Sequence, residues 1–194
     1  MINFISHKEI LPAWLYLKHN IEPPRHKLLE FAIKGLDFDT KNIKVSKVIN
    51  GIDVNGTIEA EDDENIYIVK MPKRNAIYGN AYTPHISYNS EHPYVIQINI
   101  LKWIYGKEKN MKLMALFCDG GSDTVTLPQV EVKHLVDAFT SRLSLLYNTG
   151  AVPPMCEDRW VKKDRYGRNT PTKCNSYCIV KDVCPYYKRC EVNW

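Results

Sequence analysis

The hydrophobic pattern divides the chain into short segments of two periods. Ile43 to Ile49, Ile52 to Glu59 and Asn65 to Lys70 have strand character. Asn50-Gly51 is a hairpin turn between the first two, and Glu61-Asp62-Asp63-Glu64 is a polar turn before the third. Helical spacing marks Lys8 to His19. It returns at His26 to Lys34 after the Pro23-Pro24 break, with Leu28, Leu29, Phe31, Ala32 and Ile33 as the apolar set.

Beyond a loop at Pro84 to Glu91, Pro93 to Tyr105 reads as a helix, with Pro93 suited to its first turn and Gly106 to its end. Met111 to Cys118 and Thr124 to Val130 are further strands around a Gly120-Gly121 turn, and Pro128 confines the second to a sheet edge. Val132 to Asn148 is an amphipathic helix carrying Leu135, Val136, Phe139, Leu143 and Leu146 on one side. The order α-α-β-β-β-α-β-β-α predicts an α/β domain, a central mixed sheet flanked by helices. It spans residues 1–150, the N-terminal helices occupying 1–35, and leaves 151–194 as a smaller C-terminal unit.

Composition narrows the class. A chain of 194 residues with 44% hydrophobic and 25% charged positions can bury a core. No run nears the ~18 apolar residues of a membrane span. His7, Lys8 and Glu9 interrupt what a secretory signal would need as its apolar stretch. The expectation is a cytoplasmic protein without a membrane partner, in a reducing compartment where cysteines more often serve metals than disulfides.

The C-terminal unit carries the most specific chemistry. Cys156, Cys174, Cys178 and Cys184 follow C-x17-C-x3-C-x5-C, a spacing that lets four thiols converge on one metal centre. Spacing alone leaves iron–sulfur and zinc open. Cys190 is a spare or substitute ligand, and Cys118, on an apolar strand, reads as a core thiol. Around the four lie Arg159, Lys162, Lys163, Arg165, Arg168, Lys173, Lys181, Lys188 and Arg189, interleaved with Trp160, Tyr166, Tyr177, Tyr186 and Tyr187. Such a tract suits phosphates and stacked bases, or is a solvated face with tyrosines packed on the metal.

Three stretches carry a resemblance: Val54-Asn-Gly-Thr-Ile-Glu-Ala60, Ile66-Tyr-Ile-Val-Lys70 and His92-Pro-Tyr-Val-Ile-Gln97. They resemble the core of PD-(D/E)XK (restriction-endonuclease-like) nucleases, and within these the RecB-like branch with its CRISPR-associated and phage-type members. Cys156-Glu-Asp-Arg-Trp160 and Lys173 to Pro185 are similar to the cysteine end of that branch. The resemblance implies a four-iron four-sulfur (4Fe-4S) cluster held by Cys156, Cys174, Cys178 and Cys184.

It also implies an active site for Mg or Mn. An acidic ligand falls at Glu59, one carbon longer than the usual aspartate, the lysine at Lys70, and an orienting glutamine at Gln97. His26 stands where an early-helix histidine serves as a metal ligand, and alternatively as a cap or surface residue. The second acidic ligand, two residues before the lysine, is replaced by Ile68. A hydrocarbon side chain cannot bind a hard cation, and Glu61, Asp62, Asp63 or Glu64 would have to substitute. The implied function is DNA binding or processing with impaired or absent catalysis. Two readings stand beside it: an active Mg- or Mn-dependent DNA exonuclease, and a structural or assembly subunit of a larger complex, viral or not, with protein partners in replication, recombination or viral assembly.

Overall fold

A computed structural model describes residues 1–21, 27–38, 40–71, 86, 88–117, 121–156, 161–163, 169–171, 174 and 178–187. The elements run α1 (Ile2–Ser6), α2 (Ile10–His19), α3 (Lys27–Lys34), β1 (Thr40–Ile49), β2 (Ile52–Glu61), β3 (Asn65–Lys70), α4 (Pro93–Tyr105), β4 (Asn110–Leu116), β5 (Ser122–Thr126) and α5 (Lys133–Thr149). A small hairpin of β6 (Val161–Lys163) and β7 (Asn169–Pro171) follows, then a 3-10 turn at Lys181–Val183.

Five strands form one mixed sheet in the order β1-β2-β3-β4-β5. The meander β1-β2-β3 is antiparallel, β4 lies parallel to β3, and β5 returns antiparallel. Parallel neighbours require a crossover, and α4 lies on the connection between β3 and β4. The α/β class and the helix-flanked mixed sheet are therefore as the sequence pattern predicts. No helix among the described residues is long and apolar enough to cross a membrane.

The helices are divided unequally between the two faces. Seven consecutive residues of α4, Val95 to Leu101, are buried, as expected of a helix with sheet on one side and helices on the other. Ile58, Ile66, Ile68, Leu113, Ile98 and Leu101 meet in this main core, together with α1, α2 and α5. The opposite face is covered by α3, whose Leu29 and Ile33 pack with Ala60, Tyr67 and Val69. Phe31, expected among that helix's apolar set, is 79% exposed. Two residues from both Leu29 and Ile33, it points away from the sheet at a helical 100° per residue.

The N-terminal pattern also resolves differently. The helix predicted for Lys8 to His19 begins two residues later, as α2, and a short further helix, α1, precedes it across a break at His7–Glu9, with Lys8 at φ 57°. Pro12 explains the break. Within the first turn of α2 its missing N–H costs nothing, whereas a continuous helix would drive its ring into the carbonyl four residues earlier. The hairpin turn behaves as read: Asn50 and Gly51 both have positive φ, 51° and 76°, which a two-residue turn of this hand requires.

The predicted strand at Thr124 to Val130 is shorter, because its second half is held by a side chain instead of a ladder. Asn99, buried on α4, donates to the Pro128 carbonyl at 3.0 Å and accepts from the Val130 N–H at 2.9 Å. The strand that remains, β5, is an edge, as Pro128 implied.

Close approach of helices to β2 rests on Gly56. A methyl group there would come within 2.7 Å of Ile2 Cδ1 and 2.9 Å of Leu101 Cδ2, both on buried side chains. Gly56→Ala is expected to destabilise the protein by about 1–3 kcal/mol through overpacking, measured by denaturant unfolding. An unchanged midpoint would mean that α1 can withdraw from the sheet.

Candidate functional site

The second and third strands separate where the candidate carboxylate lies. β2 pairs with β1 along nearly its whole length, but with β3 only at Ala60↔Tyr67 and Glu61↔Ile66. At the same point the side-chain alternation slips by one. Ile58 belongs to the core under α4, while Ala60 belongs to the cluster under α3. On β1 the partner positions Ile43 and Lys41 divide in the same way: Ile43 packs on the α4-side core, and the Lys41 ammonium reaches the Lys34 and Leu36 carbonyls at the end of α3. Between them Asn42 takes φ 57°. Asparagine tolerates that left-handed conformation better than most residues.

Glu59 sits at this slip, its side chain only 13% exposed and 3.8 Å from the Lys70 ammonium. Burial pushes its carboxyl above the usual range. Lys70 and the backbone N–H groups of Glu59 and Val69 oppose that without cancelling it. One oxygen, Oε2, is buried with no hydrogen-bond partner. A buried orphan acceptor is rare enough in a folded chain to need a reason, and a bound ligand is one.

Lys70, 20% exposed, lies over the Tyr94 ring at 5.2 Å. Gln97 is buried one turn further along α4, on the side of the helix that carries Tyr94. Glu59 of β2 and Lys70 of β3 thus meet, with Gln97 on α4 one turn from the Tyr94 that Lys70 touches. Tyr94 and the α4 N-cap His92 join them, and sequence reasoning did not single these two out as functional. Their one signal was the His-Pro-Tyr helix opening. His92 accepts from the Tyr94 N–H at 3.1 Å, and burial, then the charge of His7, hold its imidazole below the usual range.

Ile68 shares the face of Lys70 and is fully buried, paired with Leu113 of β4. The substitute acids do not replace what it lacks. Burial works to raise Glu61, but hydrogen bonds from Lys109, Tyr105 and Lys107 overcome it and hold the carboxyl below its ordinary value. The contacts are 2.6 Å to both the Lys109 ammonium and the Tyr105 hydroxyl, at the far end of α4. Asp62 is likewise occupied, by Asn65 and by the Tyr67 hydroxyl at 2.6 Å, and Asp63 and Glu64 are exposed in the turn. The residues described therefore do not fit a carboxylate-bound Mg or Mn centre: one carboxylate stands where hard-cation chemistry needs several oxygens. His26 lies outside the described residues.

The cysteines behave differently. Cys156, Cys174, Cys178 and Cys184 line a single cavity of about 20 Å³ with Leu11 of α2, and none is in a disulfide. Backbone hydrogen bonds from Lys181 to Cys178 and from Cys184 to Lys181 turn the chain between two of them. The Tyr186 hydroxyl donates to the Pro153 carbonyl at 3.2 Å and ties the Cys184 end to the Cys156 end. Val180, 1% exposed, is part of the main core.

Burial pushes the Cys156 thiol up to about 12, and the nearby Glu9, Cys178, Cys174 and Cys184 add to it. That thiol holds its proton, and a bound metal would reverse the preference. Among the described residues no group of three or more Cys, His, Asp or Glu is set at metal-binding distances. Four undisulfided thiols on one cavity are nonetheless the donor type that a thiolate centre uses. Cys118 and Cys190 lie outside the described residues. So do most of the basic and aromatic positions of the 159–189 tract, of which only Lys181, Tyr186 and Tyr187 have described side chains.

No protein-family model and no curated protein matches the chain. Three solved chains do, the crystal structure of SSO0001 among them, at 18% identity and a TM-score of 0.42. The match covers 82% of this chain and 66% of that one, so this chain spans just under two thirds of its length. At that level of likeness neither fold nor chemistry transfers.

Glu59 gives a pH test. Its folded-state pKa is raised, so between the unfolded value near 4.5 and the folded value the native chain binds more protons, and stability falls as pH rises. In metal-free buffer Glu59→Gln should raise the melting temperature at neutral pH. The gain should fade as the pH drops toward the unfolded value. A gain independent of pH would show that Glu59 is not held uncharged by burial.

Proposed function

We propose that this chain is a RecB-like protein of the PD-(D/E)XK type that binds DNA with catalysis lost or weakened, its C-terminus stapled by a cysteine-ligated cluster. One observation carries the reading. Ile68, buried among hydrocarbon side chains, occupies the strand position beside Glu59 and Lys70 where the second acidic ligand would lie. The antiparallel meander, the crossover through α4 and the pairing of Glu59 with Lys70 beside α4 support the same reading.

In this site Lys70 is the phosphate-binding group. Its charge is balanced by Glu59 when that carboxyl is ionised. Burial favours the protonated form, which leaves the ammonium to an incoming phosphate. Tyr94 of α4 borders it. At the other end, Cys156, Cys174, Cys178 and Cys184 would hold the 4Fe-4S cluster, or zinc in its place. When bound, that centre supplies cross-linking of the C-terminal segment to α2 and the core, which contributes directly to folding.

A second reading, an active Mg- or Mn-dependent exonuclease, has one observation in its favour: the partnerless Oε2 of Glu59, which a cation would satisfy. A role as a structural subunit of an assembly predicts no salt-sensitive DNA binding at all.

Anaerobically purified protein should be brown, should bind DNA in a salt-sensitive manner, and should leave single- and double-stranded DNA intact in Mg or Mn. Cleavage would establish the second reading, and colourless protein containing zinc would replace the cluster assignment. Lys70→Ala should weaken DNA binding and lower the salt slope by about one phosphate contact. Ile68→Glu should lower the melting temperature through a buried charge, with Mn restoring part of it and bringing cleavage above wild type. A folded variant indifferent to Mn would remove Ile68 from the site. Cys174→Ser should bleach the protein and reduce its solubility; retained colour would remove Cys174 from the ligand set.

A further inference from the structure

Away from both sites, a cleft of about 330 Å³ opens between the end of α4 and the start of α5. Its size is that of a small-ligand pocket. Lys102, Trp103, Lys107, Glu108 and Glu131 contribute to its walls, and Asn99, whose amide already holds the Pro128 and Val130 backbone, contributes a fixed floor.

The charges in this cleft are unequally committed. The Glu131 carboxylate is engaged at the start of α5, accepting from the Lys133 N–H at 2.7 Å and contacting His134. Lys107 is engaged by Glu61 at 3.2 Å. Lys102 is different. Its side chain is 12% exposed, and its ammonium pairs at 3.2 Å with Glu108, whose own side chain is 93% exposed on the α4–β4 loop. A cation so enclosed needs an anion. The anion it has sits on a solvated side chain that loses little by swinging out. Beside it the Trp103 ring is fixed by Lys47, whose ammonium lies 4.4 Å from the ring centroid.

We propose that the cleft binds a phosphate-bearing ligand with a planar ring. The phosphate takes the place of the Glu108 carboxylate on Lys102, and the ring lies against Trp103. Glu108 is then a competitor for the site as well as its cover in the free protein. A free nucleotide and a nucleotide within a strand share this chemistry. The cleft uses none of Glu59, Lys70 or Gln97, so it stands apart from the function proposed above.

Calorimetric titration at fixed ionic strength tests it with inorganic phosphate, adenosine monophosphate and a short deoxyadenosine oligomer. The monophosphate should bind about tenfold more tightly than inorganic phosphate, because its base adds a stacking contact. Lys102→Gln should weaken it about tenfold or more by removing a charge-assisted contact. Glu108→Gln should tighten it severalfold by removing the competitor. A pair that merely braces the fold would not give opposite signs for its two members. Should Lys102→Gln fail to fold, Glu108→Gln decides alone, since its side chain is exposed. No binding of the monophosphate at millimolar concentration, or no tightening in Glu108→Gln, overturns the proposal. Equal affinity for inorganic phosphate removes the ring. In a Lys70→Ala background, an oligomer that binds more tightly than the monophosphate assigns the cleft to a strand; one that binds no better assigns it to a free nucleotide.

Discussion

The alternation of a strand pair can slip by one residue only where the backbone leaves its regular path, and this chain does so at Asn42 and Glu59. Left of that point β1 and β2 present one set of side chains to α4; right of it they present the other. The slip lets Ala60 and Tyr67 close under α3 while Glu61 turns toward the end of α4. It also breaks the β2–β3 ladder, so that a carboxylate enters where backbone pairing would otherwise continue. The candidate site is a consequence of that interruption.

Two buried glutamates two residues apart illustrate how environment divides like side chains. Glu61 meets two ammonium groups and a tyrosine hydroxyl, which overcome the cost of burial and make it a structural anchor between β2 and α4. Glu59 meets one lysine at 3.8 Å and keeps an oxygen without a partner. Burial prevails there, and the carboxyl is held above the usual range. Proximity in sequence alone would have made the two interchangeable.

The C-terminal cysteines bring a second constraint. Val180 lies in the main core, and Leu11 of α2 shares the cysteine cavity. The segment that carries three of the four cysteines is thereby packed against the same core as the N-terminal helices.

The sequence by itself determined the order of the elements from α2 to α5, the Asn50-Gly51 hairpin, the limits of α4 at Pro93 and Gly106, and the four cysteines as one set. These are local matters: turn dihedrals, capping and apolar period act over a few residues. It also exposed Ile68 as a residue without a donor atom. Only the tertiary structure decided that Asn99 replaces a strand ladder at Pro128 to Val130, and that Glu61 is consumed by Lys107 and Lys109. The role of Tyr94 beside Lys70 was equally hidden, 24 positions away along the chain. Each depends on a partner distant in sequence, and hydrophobic period carries no record of which strand will slip or which charge will be met across a sheet.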